Sequence, residues 1–294
     1  MNETSPFPDW TRAFVLKDKL FAEAYDLLPA TRRAWIKKLV AELYALSVPA
    51  PAAQTARTTL WDADFYTVET HKPLDFAVLF LDDTTRSPVK IAAAALPAVL
   101  SGIPEVLAVR TGSGRNRPGD VLAALELCGL ETVLGLGEKK TRELLKHLAA
   151  QGQGVILSLS EKISKKAAAI GAASPGLKLW SAGGSLCSGD FGLWTESGVL
   201  WDFDVLSWAY PDARIAVWGA KAPNLENFYS MPGGFEEFRK TGYRVVLTPE
   251  DRIAALQGKA ALVLGPGHEA CWVWPELDLE FFRQKKLALY SQKP

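Results

Sequence analysis

A regular alternation between residues 76 and 137 constrains this chain more than any other feature. Three short apolar runs, Phe76–Leu81, Glu105–Val109 and Thr132–Leu136, alternate with two helical segments, Val89–Leu100 and Asp120–Leu127. Each run is too short for a typical helix and is bounded by turn residues, so each reads as a buried strand. Strand, helix, strand, helix, strand specifies a parallel sheet with right-handed crossovers. The expected fold class is α/β, a parallel sheet flanked by helices.

The pattern continues downstream. Glu138–Gln151 reads as a helix with Leu144, Leu145 and Leu148 on its apolar stripe, and Gly154–Ser160 as a fourth strand. A helix from Ser160 through Ile170 and a short strand at Leu177–Ser181 follow. Arg214–Gly219, Tyr243–Leu247 and Ala260–Leu264 read as strands of a second βαβ unit. Its helices are a segment within Leu225–Lys240, interrupted by Pro232-Gly233-Gly234, and Pro249–Gln257, which opens on proline. Between the two units, Gly183–Trp208 is rich in Gly, Trp and Asp and reads as antiparallel hairpins or an irregular insertion. Upstream, Met1–Trp10 reads as a loose lead-in. Lys17–Leu28 and a helix capped by Thr31 read as a helical hairpin. Val48–Thr59 reads as a connector and Leu60–Val68 as an edge strand. The expected domains are an N-terminal helical segment and linker (1–59), a first α/β domain (60–182), and a Trp/Gly-rich segment with the second α/β unit (183–294).

Charge narrows the function classes. Lys+Arg and Asp+Glu each number 33, so no general field exists to hold nucleic acid or an anionic membrane. A basic group, Arg32, Arg33, Lys37 and Lys38, reads as a solvated helix face. No apolar run reaches the ~18 residues that span a bilayer, and MNETSPFPDW lacks the basic and apolar regions of a secretory signal. Cys128, Cys187 and Cys271 are odd in number and far apart, the usage of reduced thiols in a cytoplasmic protein. With three histidines (His71, His147, His268) and neither CxxC nor HExxH, metal chemistry is not expected.

Arg110–Asp120 is the first candidate site. The loop leaves a strand's carboxyl end and enters a helix, where open α/β sheets bind ligands. Gly112 and Gly114 let backbone approach a phosphate, and Arg115 and Arg117 add anion donors. Arg117 stands where G-x-G-x-x-G needs its third glycine, and no Walker sequence follows. Gly135 and Gly137 form a second glycine-bearing turn into a helix. Asp82 and Thr84 follow the first core strand and face the same sheet edge. Cys187 lies between small residues and reads as a buried or incidental thiol. Asp190, Glu196, Asp202 and Asp204 interleave with Trp194, Trp201 and Trp208, a texture that serves a core, a ligand or a dimer surface. The expected ligand is a small phosphate-bearing molecule, and a homodimer is the expected assembly.

Two stretches carry a family resemblance. They are Leu96-Pro97-Ala98-Val99-Leu100-Ser101-Gly102-Ile103-Pro104-Glu105-Val106 and the run from Asp120 through Cys128-Gly129-Leu130 to Val133, followed by Gly135-Leu136-Gly137. They resemble histidinol dehydrogenase and, more distantly, the aldehyde-dehydrogenase-like superfamily. The match spans roughly Val89 to Leu148, and its residues are mostly packing positions. The resemblance implies a Rossmann-like domain, NAD or NADP as cofactor, and oxidoreductase activity. It also implies a divalent metal on Gln, His, Asp and His side chains and a Glu-His acid–base pair. No residue here matches that metal site. His268-Glu269, after Gly265-Pro266-Gly267, has the acid–base types in reverse order and gives the candidate catalytic pair. Two functions follow as expectations: an NAD(P)-dependent oxidoreductase, or a homologue that binds a ligand or partner without turnover. A third is an acyl enzyme using Cys187, the nucleophilic role that the likeness to the aldehyde dehydrogenases implies for that thiol.

Overall fold

The computed structural model describes residues 5–47, 54–112, 119–151, 153–172, 174–182, 190–196 and 198–291. The chain opens with a 3-10 turn and the hairpin α1 (Asp18–Leu27) and α2 (Ala30–Leu46). It continues through β1 (Thr55–Trp61), β2 (Phe65–Pro73), β3 (Phe76–Leu81), α3 (Pro88–Leu100), β4 (Glu105–Thr111), α4 (Gly119–Leu127) and β5 (Val133–Leu136). Next come α5 (Glu138–Gln151), β6 (Gly154–Ser158), α6 (Glu161–Gly171) and β7 (Lys178–Ser181). The second unit holds β8 (Phe191–Trp194), α7 (Phe203–Ala209), β9 (Ile215–Trp218), β10 (Phe228–Ser230), α8 (Phe235–Thr241), β11 (Val245–Leu247), α9 (Glu250–Leu256) and β12 (Leu262–Leu264). β13 (Arg283–Tyr290) ends the described chain.

These strands make three sheets. The first is parallel, in the order β5-β4-β3-β6-β7. The second is also parallel, in the order β10-β9-β8-β11-β12. Counted along the chain, both run third, second, first, fourth, fifth. In each the strand order therefore reverses beside its first strand, the place where open α/β sheets bind ligands. The third sheet is an antiparallel arm in which β2 lies between β1 and β13.

α3 shows why the first sheet forms where it does. Its Ala92–Ala95 run presents little bulk, and every residue from Pro88 to Ala98 is buried. A helix that is apolar all round must be covered all round. β3 lies against one side of it and α2 and α4 flank it, while the Ser87 side chain caps it by accepting from the Lys90 N–H at 3.3 Å. On the opposite face of the sheet, Phe76, Val78, Phe80, Leu107, Val109 and Ile156 pack with the stripe of α5 and with Ile163 of α6.

Several expectations need correction. The described part of the 183–208 segment, residues 190–196 and 198–208, forms no antiparallel hairpin. Phe191–Trp194 is the central strand of the second parallel sheet, buried along its length, and 203–209 is a helix capped by Asp202. A strand covered on both faces reads as a plain apolar run, so FGLW carried no alternation to reveal its role. The segment from Leu225 holds strand β10 before its helix, which starts only at Phe235. The connector and edge strand at 48–68 include the hairpin β1–β2, turning at Asp64 with φ 56°. Residues 7–14 pack Phe7, Trp10 and Phe14 onto the α5 side of the core. α2 begins at Ala30 after Pro29, not at a Thr31 cap. The basic group is a solvated face only in part: Lys37 and Lys38 are exposed, but Arg33 donates to the Tyr25 and Leu28 carbonyls at 2.8 Å each, Arg32 lies 5.4 Å over Trp208, and Lys38 reaches the Gly267 carbonyl. Trp194, Trp201 and Trp208 are core residues, so this segment presents no exposed tryptophan cluster. No described helix is long and apolar enough to cross a membrane.

Candidate functional site

The first sheet reverses between β3 and β6, and the residues that end those strands meet there. Asp82, following β3, accepts a short hydrogen bond from Ser160 Oγ, following β6. Ser160 also caps α6 by accepting from the Ile163 N–H at 3.3 Å. The second Asp82 oxygen accepts from Thr84, from its N–H at 2.9 Å and from its hydroxyl. Burial pushes the Asp82 carboxyl up, but the Ser160, Thr84 and Thr85 hydrogen bonds outweigh it and hold the group below the ordinary aspartate value.

Beside this junction, over the carboxyl ends of β3 and β4, opens a cleft of about 410 Å³. Its floor is Asp82, Asp83 and Thr84 with Thr111 and Gly112, and its walls are the first turns of α5 and α6. Asp83 lies 3.8 Å from the buried Arg110 guanidinium. Gly112 has φ +144°, and a Cβ there would collide with the Asp83 carboxylate. The close approach therefore requires glycine. Across the rim, Glu138 of α5 accepts from Lys166 Nζ at 2.5 Å and lies 3.7 Å from Lys162 Nζ. These lysines hold the Glu138 carboxyl below its usual range, the Lys166 hydrogen bond contributing most. The cleft thus sets carboxylates and threonine hydroxyls, suited to ligand hydroxyls, opposite two lysines and a helix N-terminus, suited to a phosphate.

The sequence candidates divide accordingly. Asp82, Thr84 and Gly112 line the cleft together. Gly114, Arg115, Arg117 and Cys187 lie outside the described residues. Gly135 is within β5, where an added Cβ would meet Leu16 at 3.2 Å, so its smallness serves packing of the N-terminal segment. Gly137 sits at the start of α5, its carbonyl accepting from the Thr141 N–H at 2.9 Å and hydroxyl at 3.0 Å. Neither glycine lines the cleft. His268 and Glu269 are adjacent in sequence but diverge. His268 is half-exposed and pairs with Glu42 of α2 at 3.4 Å, whereas Glu269 is buried against a different cavity. The thiol of Cys271 donates to Glu42 at 2.6 Å, and burial is the main cause that pushes its pKa far up.

Ser160, Lys162 and Lys166 were missed as site residues. A serine between a strand and a helix signals a cap, but only the strand order brings it to Asp82. Helical spacing puts Lys162 and Lys166 on one face of α6, a signal the sequence did contain.

No protein-family model matches the chain, and no curated protein matches it in sequence. Among solved structures it is similar to the histidinol dehydrogenase from Elizabethkingia anophelis, with TM-score 0.61 at 11% identity over 94% of this chain and 76% of that one. It is also similar to the succinate-semialdehyde dehydrogenase from Burkholderia pseudomallei (TM-score 0.51, 11% identity, 94% and 83% covered). A NAD-dependent benzaldehyde dehydrogenase from Corynebacterium glutamicum matches with TM-score 0.50 at 10% identity, covering 94% and 87%. The likeness is one of architecture, and the chain has the Rossmann-like α/β fold of the histidinol and aldehyde dehydrogenases.

Proposed function

We propose that this chain is an oxidoreductase-like protein that binds a dinucleotide, NAD or NADP, in the cleft between α5 and α6. One observation carries the reading: the cleft lies beside the reversal of the first sheet and pairs hydroxyl-binding groups with phosphate-binding ones. Asp82, Asp83 and Thr84 would hold ribose hydroxyls. Lys162, Lys166 and the first turn of α6 would hold a phosphate. A bound nicotinamide dinucleotide would supply the hydride acceptor. The residues of the cleft would orient it, with Asp82, ionised at neutral pH, as a hydrogen-bond acceptor.

Because Lys166 is paired with Glu138, an incoming phosphate competes with that carboxylate. Glu138→Gln should therefore tighten binding of an anionic ligand, and Lys166→Ala should weaken it. Calorimetric titration with NAD and NADP tests both signs. Absence of binding by either dinucleotide to the unsubstituted chain would overturn the proposal.

A second reading, a binding protein without turnover, has its own support: the candidate catalytic pair lies elsewhere, His268 against Glu42 and Glu269 on a different cavity. Absorbance at 340 nm with aldehyde and alcohol substrates separates the two once binding is established. A homodimer belongs to the same proposal. The arm leaves Leu60, Trp61, Leu287 and Leu289 exposed, and sedimentation of the chain with and without charged substitutions at Leu60 and Leu289 tests it.

A further inference from the structure

The charges of this chain cancel in sum, but they are not evenly spread. α5 carries four lysines and arginines against two glutamates, and α6 carries three against one. The two helices lie side by side on one face of the first sheet, and their first turns wall the cleft. α2 is also basic, but its Arg32, Arg33 and Lys38 are turned onto Asp120, backbone carbonyls and Glu42. The cations of α5 and α6 are not all spent in this way. Each of the three glutamates is already paired: Glu138 with Lys162 and Lys166, Glu143 with Lys140 at 2.9 Å, and Glu161 with Lys165 at 2.7 Å. Lys139 and Lys146 are exposed, and neither has an acidic partner among the described residues.

Neither of these two lysines lines the cleft, so any effect they have on its ligand acts through space. Lys146 lies about 12 Å along α5 from Glu138, at ~1.5 Å of rise per residue. That is within the screening length of ~30 Å at about 10 mM salt and well beyond the ~3 Å at about 1 M. The amino ends of α5 and α6 add partial positive charge at the cleft itself. A basic face that adjoins a cleft on an otherwise neutral chain raises the local concentration of an anion there and speeds its encounter.

We propose that the outer face of α5 and α6 is a collecting surface that steers an anionic ligand into the cleft, with Lys139 and Lys146 acting on its approach and not on its bound state. The inference rests on the reading of the cleft as a dinucleotide site. Its test is stopped-flow fluorescence of the full chain with NADH and with NADPH, at about 10 mM and about 1 M salt. The double variant Lys139→Glu/Lys146→Glu should slow NADH association about tenfold at the low salt, with dissociation unchanged. The difference should vanish at the high salt. The loss should be larger for NADPH, whose additional phosphate carries more charge. Lys139→Gln/Lys146→Gln, which removes the charges without reversing them, should fall between the parent and the glutamate variant. If circular dichroism shows the glutamate variant unfolded, the glutamine variant carries the test. Association as fast as the parent's at low salt in the folded variant, or a change carried by dissociation, overturns the inference and leaves the dinucleotide reading standing. No binding of either nucleotide by the unsubstituted chain overturns both.

Discussion

The two parallel sheets share one strand order and treat their edges differently. In the first, the residues after β3 and β6 meet through Asp82 and Ser160, and a cleft stays open beside them. In the second, the segment after β8 is tied to α9, the helix that follows β11. Glu196 accepts from Trp194 Nε1 at 2.7 Å and from Arg252 Nε at 3.0 Å, and Gly219 packs directly against the Thr195 carbonyl. Its cavity has moved aside to the first turn of α7. Strand order therefore offers the place for a site, and the side chains at the strand ends decide how that place is lined.

The two units also differ in depth of core. β3 has six buried residues and its helices run to fourteen, whereas β11 and β12 have three residues each and α8 and α9 seven. The sharpest test removes one large side chain from each central strand. Phe80→Ala in β3 should cost about 3–5 kcal/mol and Leu193→Ala in β8 about 2–5 kcal/mol, measured by urea unfolding. Transitions that separate in the variants would show that the sheets unfold as two units. A single shifted transition would show one.

The junctions come next. Asp82→Ala removes the acceptor of Ser160, Thr84 and Thr85 and should cost about 1–3 kcal/mol. Glu196→Gln, which keeps an acceptor for Trp194 and Arg252 at the counterpart position, should cost less. The pH dependence follows from the depressed Asp82 pKa. Its stabilisation is present above the ordinary aspartate value of 3.8 and is lost as pH falls through the lower folded value. Unfolding midpoints of the parent and Asp82→Ala should therefore converge on acidification, and a gap that stays constant down to about pH 2 would contradict the assignment.

Gly112→Ala forces a Cβ onto the Asp83 carboxylate at φ +144° and should cost about 1 kcal/mol or more, with weaker dinucleotide binding. Lys166→Ala marks the small end. Stability should change by no more than about 0.5 kcal/mol, while dinucleotide affinity falls several-fold. Equal losses of stability and affinity would make Lys166 a structural residue.

Much of the fold was legible because short-range patterns carry it. The boundaries of α5 match its apolar stripe, and β3 and α3 follow from their apolar runs and the Ser87 cap. The glycine turns were legible as turns, but not in their purpose. Gly112 makes room for Asp83, and Gly135 for Leu16. The sequence shows that a residue is small, not which neighbour needs the space.

By itself, then, the sequence determined the alternation of strands and helices and the parallel character of the first sheet. These follow from side-chain periodicity within one element. Only the tertiary structure decided that Phe191–Trp194 is a central strand, that β13 returns to pair with β2, and that Ser160 meets Asp82. It also decided that Glu269 turns away from His268 into a cavity of its own. The reason is physical: strands buried on both faces have interchangeable patterns. Their order, and every site built at their ends, depends on which distant segments pack together.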